Sequence, residues 1–183
     1  TDMGWMLSRN KDFNQPIGDW DTSKVTDMSG MFHDTGDFNQ PIGKWNTSKV
    51  NNMYAMFSRA RAFNQSIEEW DTSNVRDMKE MFLCIGYCAF NQPIGKWNTT
   101  NVLNMSNMFN YNTRFNQPIG DWDTSNVLDM SGMFGTAYSF NQPIGDWDTS
   151  KVTDMSGMFQ SALDFNQPIG GWNTSQVKDM SYM

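Results

Sequence analysis

The chain has 183 residues, a formal net charge of −7 and an isoelectric point near 4.5. This acidic balance argues against binding of nucleic acid, which needs Lys and Arg clustered on one face. The sequence contains no apolar run of about 18 residues, so we predict no insertion into a membrane by this segment.

One motif repeats along the whole chain. Each copy follows the pattern F-N-Q-P-I-G-x-W-D/N-T-S-x-V-x-D/N-M-x-x-M-F, and the copies are 25 residues apart except for one spacing of 27. A period of this length predicts a solenoid, because one such unit is too small to bury its apolar residues and must stack on its neighbours. The copies begin at Phe13, Phe38, Phe63, Phe90, Phe115, Phe140 and Phe165.

We therefore expect residues 1–183 to form a single solenoid array of about seven repeats. The chain starts and stops in mid-repeat, and neither end shows a distinct polar capping unit. Ends of this kind expose apolar edges, so the sequence also predicts end-to-end self-association.

Each repeat is predicted to contain one short strand and one helical turn. The equivalent positions of successive repeats form a column, named here by its member in the first full repeat. The β-branched Val25 favours a strand from Val25 to Met28 that pairs with the next repeat. Met28, Met31 and Phe32 are spaced as on one face of a helix, which predicts a short helical turn. The columns expected to fill the core are Phe13, Ile17, Trp20, Val25, Met28, Met31 and Phe32.

Four polar or aromatic columns are nearly invariant. Side-chain amides of the Asn14 column are predicted to bond the backbone of the next repeat, whereas the Gln15 column is open to a role in recognition. The Trp20 column is expected to be buried; the alternative is a row of exposed rings that stacks on a glycan. The Thr22 hydroxyls are expected to cap local turns, and the alternative is an exposed threonine array that binds ice.

Charge alternates along the Asp19 column through the first five repeats, which predicts ion pairs between neighbours that fix their register. An ancestral duplication of two repeats is a compatible explanation. The alternation then fails, because Asp121 and Asp123 are followed in the next repeat by Asp146 and Asp148. These four carboxylates form either a solvated acidic face or a site for Ca²⁺, which prefers oxygen ligands. We predict no other cofactor.

Cys84 and Cys88 are the only cysteines, and both lie in the one longer spacing. Their position predicts a disulfide that closes the inserted bulge, with two free thiols as the alternative. His33 is the only histidine, so the sequence offers no recurring set of nucleophile, histidine and carboxylate. We therefore do not expect an enzyme.

The string W-D-T-S-x-V-x-D-M-S-x-M-F occurs at 20–32, 122–134 and 147–159. It resembles the roughly 26-residue repeat of bacterial surface lipoproteins, a BspA-like family related to leucine-rich repeats. The resemblance implies leucine-rich-repeat-like coils, here of 25 residues, and extracellular display at the cell surface. It also implies a role in adhesion or binding and no enzymatic activity.

The most variable part of each repeat is the spacer between Phe32 and the next Phe, and its equivalents. Two functions remain in view. A binding module would contact a protein or glycan on another cell or matrix, whereas a stalk would only project other domains and needs no diversity in its spacers. The spacers contain residue types enriched at interfaces, which favours binding. The residues predicted to contact the partner are Arg59, Arg61, Tyr111, Arg114 and Tyr138.

Overall fold

The computed structural model describes all residues from 1 to 183. It contains no helix and no extended strand, and its backbone consists of turns and isolated bridges. One parallel bridge joins each repeat to the next at the Asp27 column, so successive repeats are stacked in register. The bridges pair Asp2 with Asp27, Asp27 with Asn52, Asn52 with Asp77, Asp77 with Asn104, Asn104 with Asp129, Asp129 with Asp154 and Asp154 with Asp179.

The predicted strand from Val25 to Met28 has the right location but the wrong extent. Only Asp27 within it forms a bridge, flanked by hydrogen bonds from Met28 N–H to Asn52 O and from Asn51 N–H to Thr26 O. The chain turns immediately afterwards, which leaves no room for a longer ladder.

The predicted helical turn is wrong. From Met28 to Asp34, every second amide donates to a carbonyl of the next repeat, at 2.7–3.0 Å. Of the amides between them, Ser29 N–H donates to Asp27 Oδ1 at 2.7 Å, and those of Met31 and His33 donate to the carbonyl three residues earlier at 3.3 and 3.0 Å. This segment is therefore a run of tight turns that divides its hydrogen bonds between its own repeat and the next.

Two backbone positions explain why no helix forms there. Gly30 has φ of 55° and Asp34 has φ of 56°, both in the left-handed region, whereas an α-helix needs right-handed values throughout. The third residue of a type II turn requires such a positive φ. Apolar residues spaced three and four apart can thus share one face in consecutive turns as well as in a helix.

The core is a continuous stack of aromatic and methionine side chains. Phe32 packs against Phe38 at 4.1 Å between ring centroids and against Phe57 of the next repeat at 5.4 Å. Met28 and Met31 are fully buried, which confirms their predicted packing role. Since each ring contacts rings of its own repeat and of the next, the apolar core runs without a break along the stack.

Invariant polar groups join neighbouring repeats. The Asn14 Oδ1 accepts the Asn39 N–H at 3.0 Å and a second bond from Gln40 Nε2, as predicted for the Asn column. The Gln40 side chain is thereby hydrogen-bonded to the preceding repeat at a position near the surface. The Thr22 hydroxyl donates to Asn46 O of the next repeat at 3.1 Å, so its predicted role in local capping is wrong.

Thr22 is also only 1% exposed, as are its equivalents in the next five repeats. The threonine array on which the ice-binding alternative depends is therefore buried. The turn beside it is capped by Asp21, whose Oδ1 accepts the Ser23 N–H at 3.0 Å.

Candidate functional site

The variable spacers lie in register along one side of the stack. Each is tied to the preceding spacer by a backbone hydrogen bond, for example from Asp37 N–H to Lys11 O at 3.0 Å and from Ala62 N–H to Gly36 O at 3.0 Å. Because the bonds recur in successive repeats, the spacers form one continuous row, in which buried side chains such as Thr35 and Asn112 lie beside exposed ones. We call it the spacer row; it comprises residues 33–37, 58–62, 83–89, 110–114, 135–139 and 160–164.

Four of the five residues predicted to contact a partner are exposed on the spacer row. Arg61 and Arg114 are open to solvent, and the exposed fractions of Tyr111 and Tyr138 are 49% and 41%. Arg59 differs, since it is half-buried, has φ of 60° and leaves its Nε without a hydrogen-bond partner. We therefore assign Arg59 to the packing beneath the surface.

The longer spacer is closed by a disulfide between Cys84 and Cys88. Both sulfurs are buried, while Ile85 and Tyr87 between them are exposed. Because the two bonded cysteines are only four residues apart, the residues between them are directed away from the core. The bulge therefore projects an aromatic ring from the spacer row.

Tyr87 is a surface residue that the sequence analysis did not identify. The Arg114 guanidinium lies 4.5 Å from the centroid of its ring, a cation–π contact between neighbouring spacers. The contact orients Arg114 and connects the disulfide-closed bulge of one spacer to a predicted partner-binding residue of the next spacer. The signal was present in the sequence, since Tyr87 is the aromatic residue between the only two cysteines.

A shallow polar groove of about 370 Å³ borders the spacer row beside Tyr111. Its lining includes Asn107, Asn110, Gly132 and Gln160. Amides, glycine backbone and the carboxylate of Asp179 can exchange hydrogen bonds with a polar ligand, and the Tyr111 ring supplies a flat apolar edge. This chemistry suits a sugar ring or a peptide backbone.

His33 packs against Trp5, with ring centroids 5.4 Å apart, and its Nδ1 is buried without a partner. Burial and the nearby Arg59 charge lower the pKa of the His33 ring. The ring is therefore neutral at pH 7, and its surroundings are those of a packed side chain.

For the four acidic residues, the alternatives are a solvated face and a calcium site, and all four are exposed. No three His, Cys, Asp or Glu side chains are grouped so that they could hold a metal ion, so Asp121, Asp123, Asp146 and Asp148 do not form a ligand cluster. Asp123 and Asp148 instead cap turns: their Oδ1 atoms accept the N–H groups of Ser125 at 3.0 Å and Ser150 at 2.9 Å.

These hydrogen bonds also affect ionisation. Bonds from the side chain and backbone of Ser125 lower the pKa of Asp123, and those from Ser150 lower the pKa of Asp148. The charged form of each carboxylate is thus stabilised by the hydrogen bonds of its own turn, without a cation shared between them.

A protein-family model described as "Mycoplasma protein of unknown function, DUF285" matches residues 1–86 and 83–183, which together span the chain. The chain belongs to this family. Searches of curated proteins and of solved structures find no match to the chain. The DUF285 assignment agrees with the repeat character of the sequence, and its description gives no function. The structure has no helix that would span a lipid bilayer.

Proposed function

We propose that this DUF285 chain is a non-enzymatic binding module, displayed at the cell surface, whose spacer row contacts a protein or glycan partner. Its stack of repeats is, in this proposal, an open solenoid akin to the leucine-rich-repeat-like arrays of BspA-like surface proteins. The observation that carries the proposal is the alignment of the variable spacers into one exposed surface.

The invariant part of the repeat supports this division of roles. Its Asn, Thr and Trp side chains are engaged in hydrogen bonds between repeats, as in Asn14, Thr22 and Trp45. Side chains committed to the stack are not free to bind a partner. The spacers contribute backbone bonds to the stack but leave their side chains free to vary.

The chemistry of the spacer row also suits a binding surface. Tyr and Arg are the residues most enriched among those that dominate binding energy, because they combine large contact area with directed hydrogen bonds. Tyr87, Tyr111 and Tyr138 project from three consecutive repeats, and Arg114 is held against Tyr87. The polar groove beside Tyr111 adds hydrogen-bonding groups that suit a glycan as well as a peptide.

Display outside the cell is part of the proposal. A disulfide is stable in an oxidising environment and is rare where glutathione keeps thiols reduced. The bond between Cys84 and Cys88 is consistent with such a location.

A stalk that only projects other domains is the second candidate function. The unbroken apolar core favours this function, because it joins all the repeats into one continuous stack, as a stalk requires. A stalk places no demand on the spacer side chains, whereas a binding module does.

The two functions are separated by a screen of the whole chain against protein and glycan arrays, followed by Ala substitution of Arg61, Tyr111, Arg114 and Tyr138. These side chains are exposed, so the variant is expected to fold normally and to lose binding to the partner that the screen identifies. Asp19→Ala with Lys44→Ala, both exposed and outside the spacer row, is the control. Unchanged affinity of the spacer variant contradicts the proposed site, and a screen without a partner favours the stalk.

A further inference from the structure

A second surface, away from the spacer row, carries an unusual set of charges. It consists of the two exposed columns on either side of the buried Val25 column, which we call the basic face. The basic face contains five of the chain's 13 Lys and Arg residues and none of its 20 Asp and Glu residues. Its first column is Lys24, Lys49, Asn74, Asn101, Asn126, Lys151 and Gln176, and its second is Thr26, Asn51, Arg76, Leu103, Leu128, Thr153 and Lys178.

The cations of this face form no ion pairs within the chain. The ion pairs of the structure involve only Lys79 and Lys96, neither of which belongs to the basic face. Lys151 Nζ donates to the neutral Asn126 Oδ1, which lies on the face itself. The nearest carboxylates, in the Asp21 column, are engaged in capping adjacent turns. Lys24 and Lys151 lie close enough to this column to act on the charges of Asp21, Asp123 and Asp148, but they form no ion pair with them. A protein with net charge −7 thus presents one cationic stripe without ion pairs.

Two leucines interrupt the stripe at its middle. Leu103 and Leu128 are 41% and 44% exposed, and the Leu128 N–H donates to Leu103 O at 2.9 Å, so their side chains are neighbours. Equivalent positions elsewhere hold Thr, Asn, Arg or Lys. Packing within the stack does not explain this exposed apolar pair, which has cations on both sides.

The surface between the two columns is concave. A shallow groove of about 640 Å³ is lined by Thr26, Lys49, Asn51, Asn74 and Arg76. A second groove of about 280 Å³ continues from Arg76 past Leu103 to Asn126. Because Arg76 borders both, the two depressions run end to end along the axis of the stack.

Amide side chains on the rim of the groove are held in fixed positions. Asn74 Nδ2 donates to Ser48 O and Asn101 Nδ2 donates to Ser73 O, each at 2.7 Å. These bonds use the NH₂ groups and leave the Oδ1 atoms as acceptors for an incoming N–H. The groove therefore offers acceptors to a peptide backbone as well as cations to its side chains.

We propose that the basic face binds an extended acidic peptide segment of a partner protein, with carboxylates on both sides of an apolar residue. Arg76 and Lys151 are three repeats apart, about 14 Å at the usual strand spacing. In an extended peptide, side chains two residues apart point the same way, and residues four apart are about 13 Å apart. A motif of Asp or Glu, any residue, an apolar residue, any residue, Asp or Glu therefore matches Arg76, the leucine pair and Lys151.

The test measures fluorescence anisotropy of a labelled peptide with the whole chain. The peptide has about nine residues, the length that spans the face at about 3.3 Å per residue, with Glu two residues before and after a central Leu and Ser elsewhere. We expect saturable binding that weakens as salt is added. A peptide of the same composition with Leu moved to one end, and one with Lys in place of Glu, are expected to bind at least tenfold more weakly.

Variants assign the binding to the face. Arg76→Gln with Lys151→Gln is expected to weaken binding about tenfold, as for the loss of two exposed ion pairs. Leu103→Asn with Leu128→Asn is expected to have a similar effect, and Asn51 shows that this column accepts Asn. Lys11→Gln with Lys44→Gln removes the same charge elsewhere on the surface and is expected to leave affinity unchanged.

Four results would overturn the proposal. They are absence of binding at millimolar peptide, equal binding of the rearranged peptide, an equal loss in the control variant, and displacement of the peptide by sulfated polysaccharide or anionic lipid vesicles that bind more tightly. The spacer variant with Arg61→Ala and Arg114→Ala is expected to bind the peptide normally, which keeps this test independent of the proposed function of the spacer row.

Discussion

The Nε1–H of Trp45 donates a hydrogen bond of 3.1 Å to the carbonyl oxygen of Ile17 in the preceding repeat. The same bond joins Trp97 to Ile67 at 3.1 Å and recurs down the stack with indole rings 6.4 Å apart. Each indole thus fills the core of its own repeat and satisfies a backbone acceptor of its neighbour. From Trp45 onward, this double role leaves the indole rings unavailable for glycan stacking and makes them sensitive points for stability.

Trp97→Phe is expected to lower the free energy of unfolding by about 1 kcal/mol, because the Ile67 carbonyl loses one of its two donors and keeps only the Trp70 N–H. Urea denaturation followed by circular dichroism measures the change. Trp20→Phe is the control, since Trp20 makes no such bond and is partly exposed. Equal losses in the two variants would show that the hydrogen bond contributes nothing.

Gly120→Ala is expected to destabilise the chain by about 1–3 kcal/mol, the usual cost of overpacking. A Cβ at Gly120 would lie 2.6 Å from the Pro143 carbonyl oxygen, and a backbone atom cannot rotate away. Gly170 occupies the same column with nothing within 4 Å, so Gly170→Ala is a matched control expected to be neutral. Thermal unfolding of both variants checks the expectation, which fails if their melting temperatures agree.

Stability is expected to fall in acid because turn-capping carboxylates must be protonated. Bonds from the side chain and backbone of Ser73 lower the pKa of Asp71 from the usual 3.8, as those of Ser125 do for Asp123. A group whose folded pKa lies below its unfolded pKa stabilises the fold fully above the unfolded value and loses that contribution as the pH falls through the folded one.

Asp71→Asn with Asp123→Asn is therefore expected to reduce the loss of folding stability between neutral and acidic pH while preserving the fold. Asn46 and Asn98 occupy the same column and cap the same turn through Oδ1 at 3.1 Å. Urea midpoints from neutral pH to about pH 3 measure the slope. Asp19→Asn, at a carboxylate that accepts no hydrogen bond, is the control, and an identical slope in all three proteins would count against the capping explanation.

Removing the disulfide is expected to cost about 2 kcal/mol, the entropy of closing a loop of this length. Cys84→Ala with Cys88→Ala should also release Tyr87 from its position under Arg114. Hydrogen exchange is expected to rise in residues 83–89 and to stay unchanged in distant repeats. Uniform loss of protection along the chain would contradict a local role of the bond.

The sequence predicted the core well because the apolar columns are identified by residue type alone. Phe38, Met28 and Trp45 are buried where the repeat pattern placed them. It could not distinguish a helix from successive tight turns, since both bring Met28, Met31 and Phe32 to one side. That choice depends on the left-handed backbone at Gly30 and Asp34, and the first of these positions is filled in other repeats by Ala55, Glu80 and Asn107.

The surface was harder to predict because exposed side chains are weakly constrained. Alternating charges in the Asp19 column predicted several ion pairs, yet within this column only Glu69 and Lys96 meet, at 3.1 Å. Exposed pairs gain little from a fixed geometry, so sequence alternation does not guarantee contact. The spacer residues Arg61 and Tyr111 were correctly placed at the surface, whereas the half-burial of Arg59 and of its Nε could not be inferred from its position in the spacer.

The bridges at the Asp27 column join each repeat only to those immediately before and after it. Each repeat therefore has one surface that contacts the repeat before it and another that contacts the repeat after it. These two surfaces are nearly the same in every repeat. Loss or gain of a whole repeat would bring together two surfaces that already fit, so genetic recombination could change the length of the array without the need for a compensating mutation. The 27-residue repeat is the only one that carries a disulfide bulge. Its position, counted in repeats from either end, would therefore reveal a gain or loss of repeats in a related array.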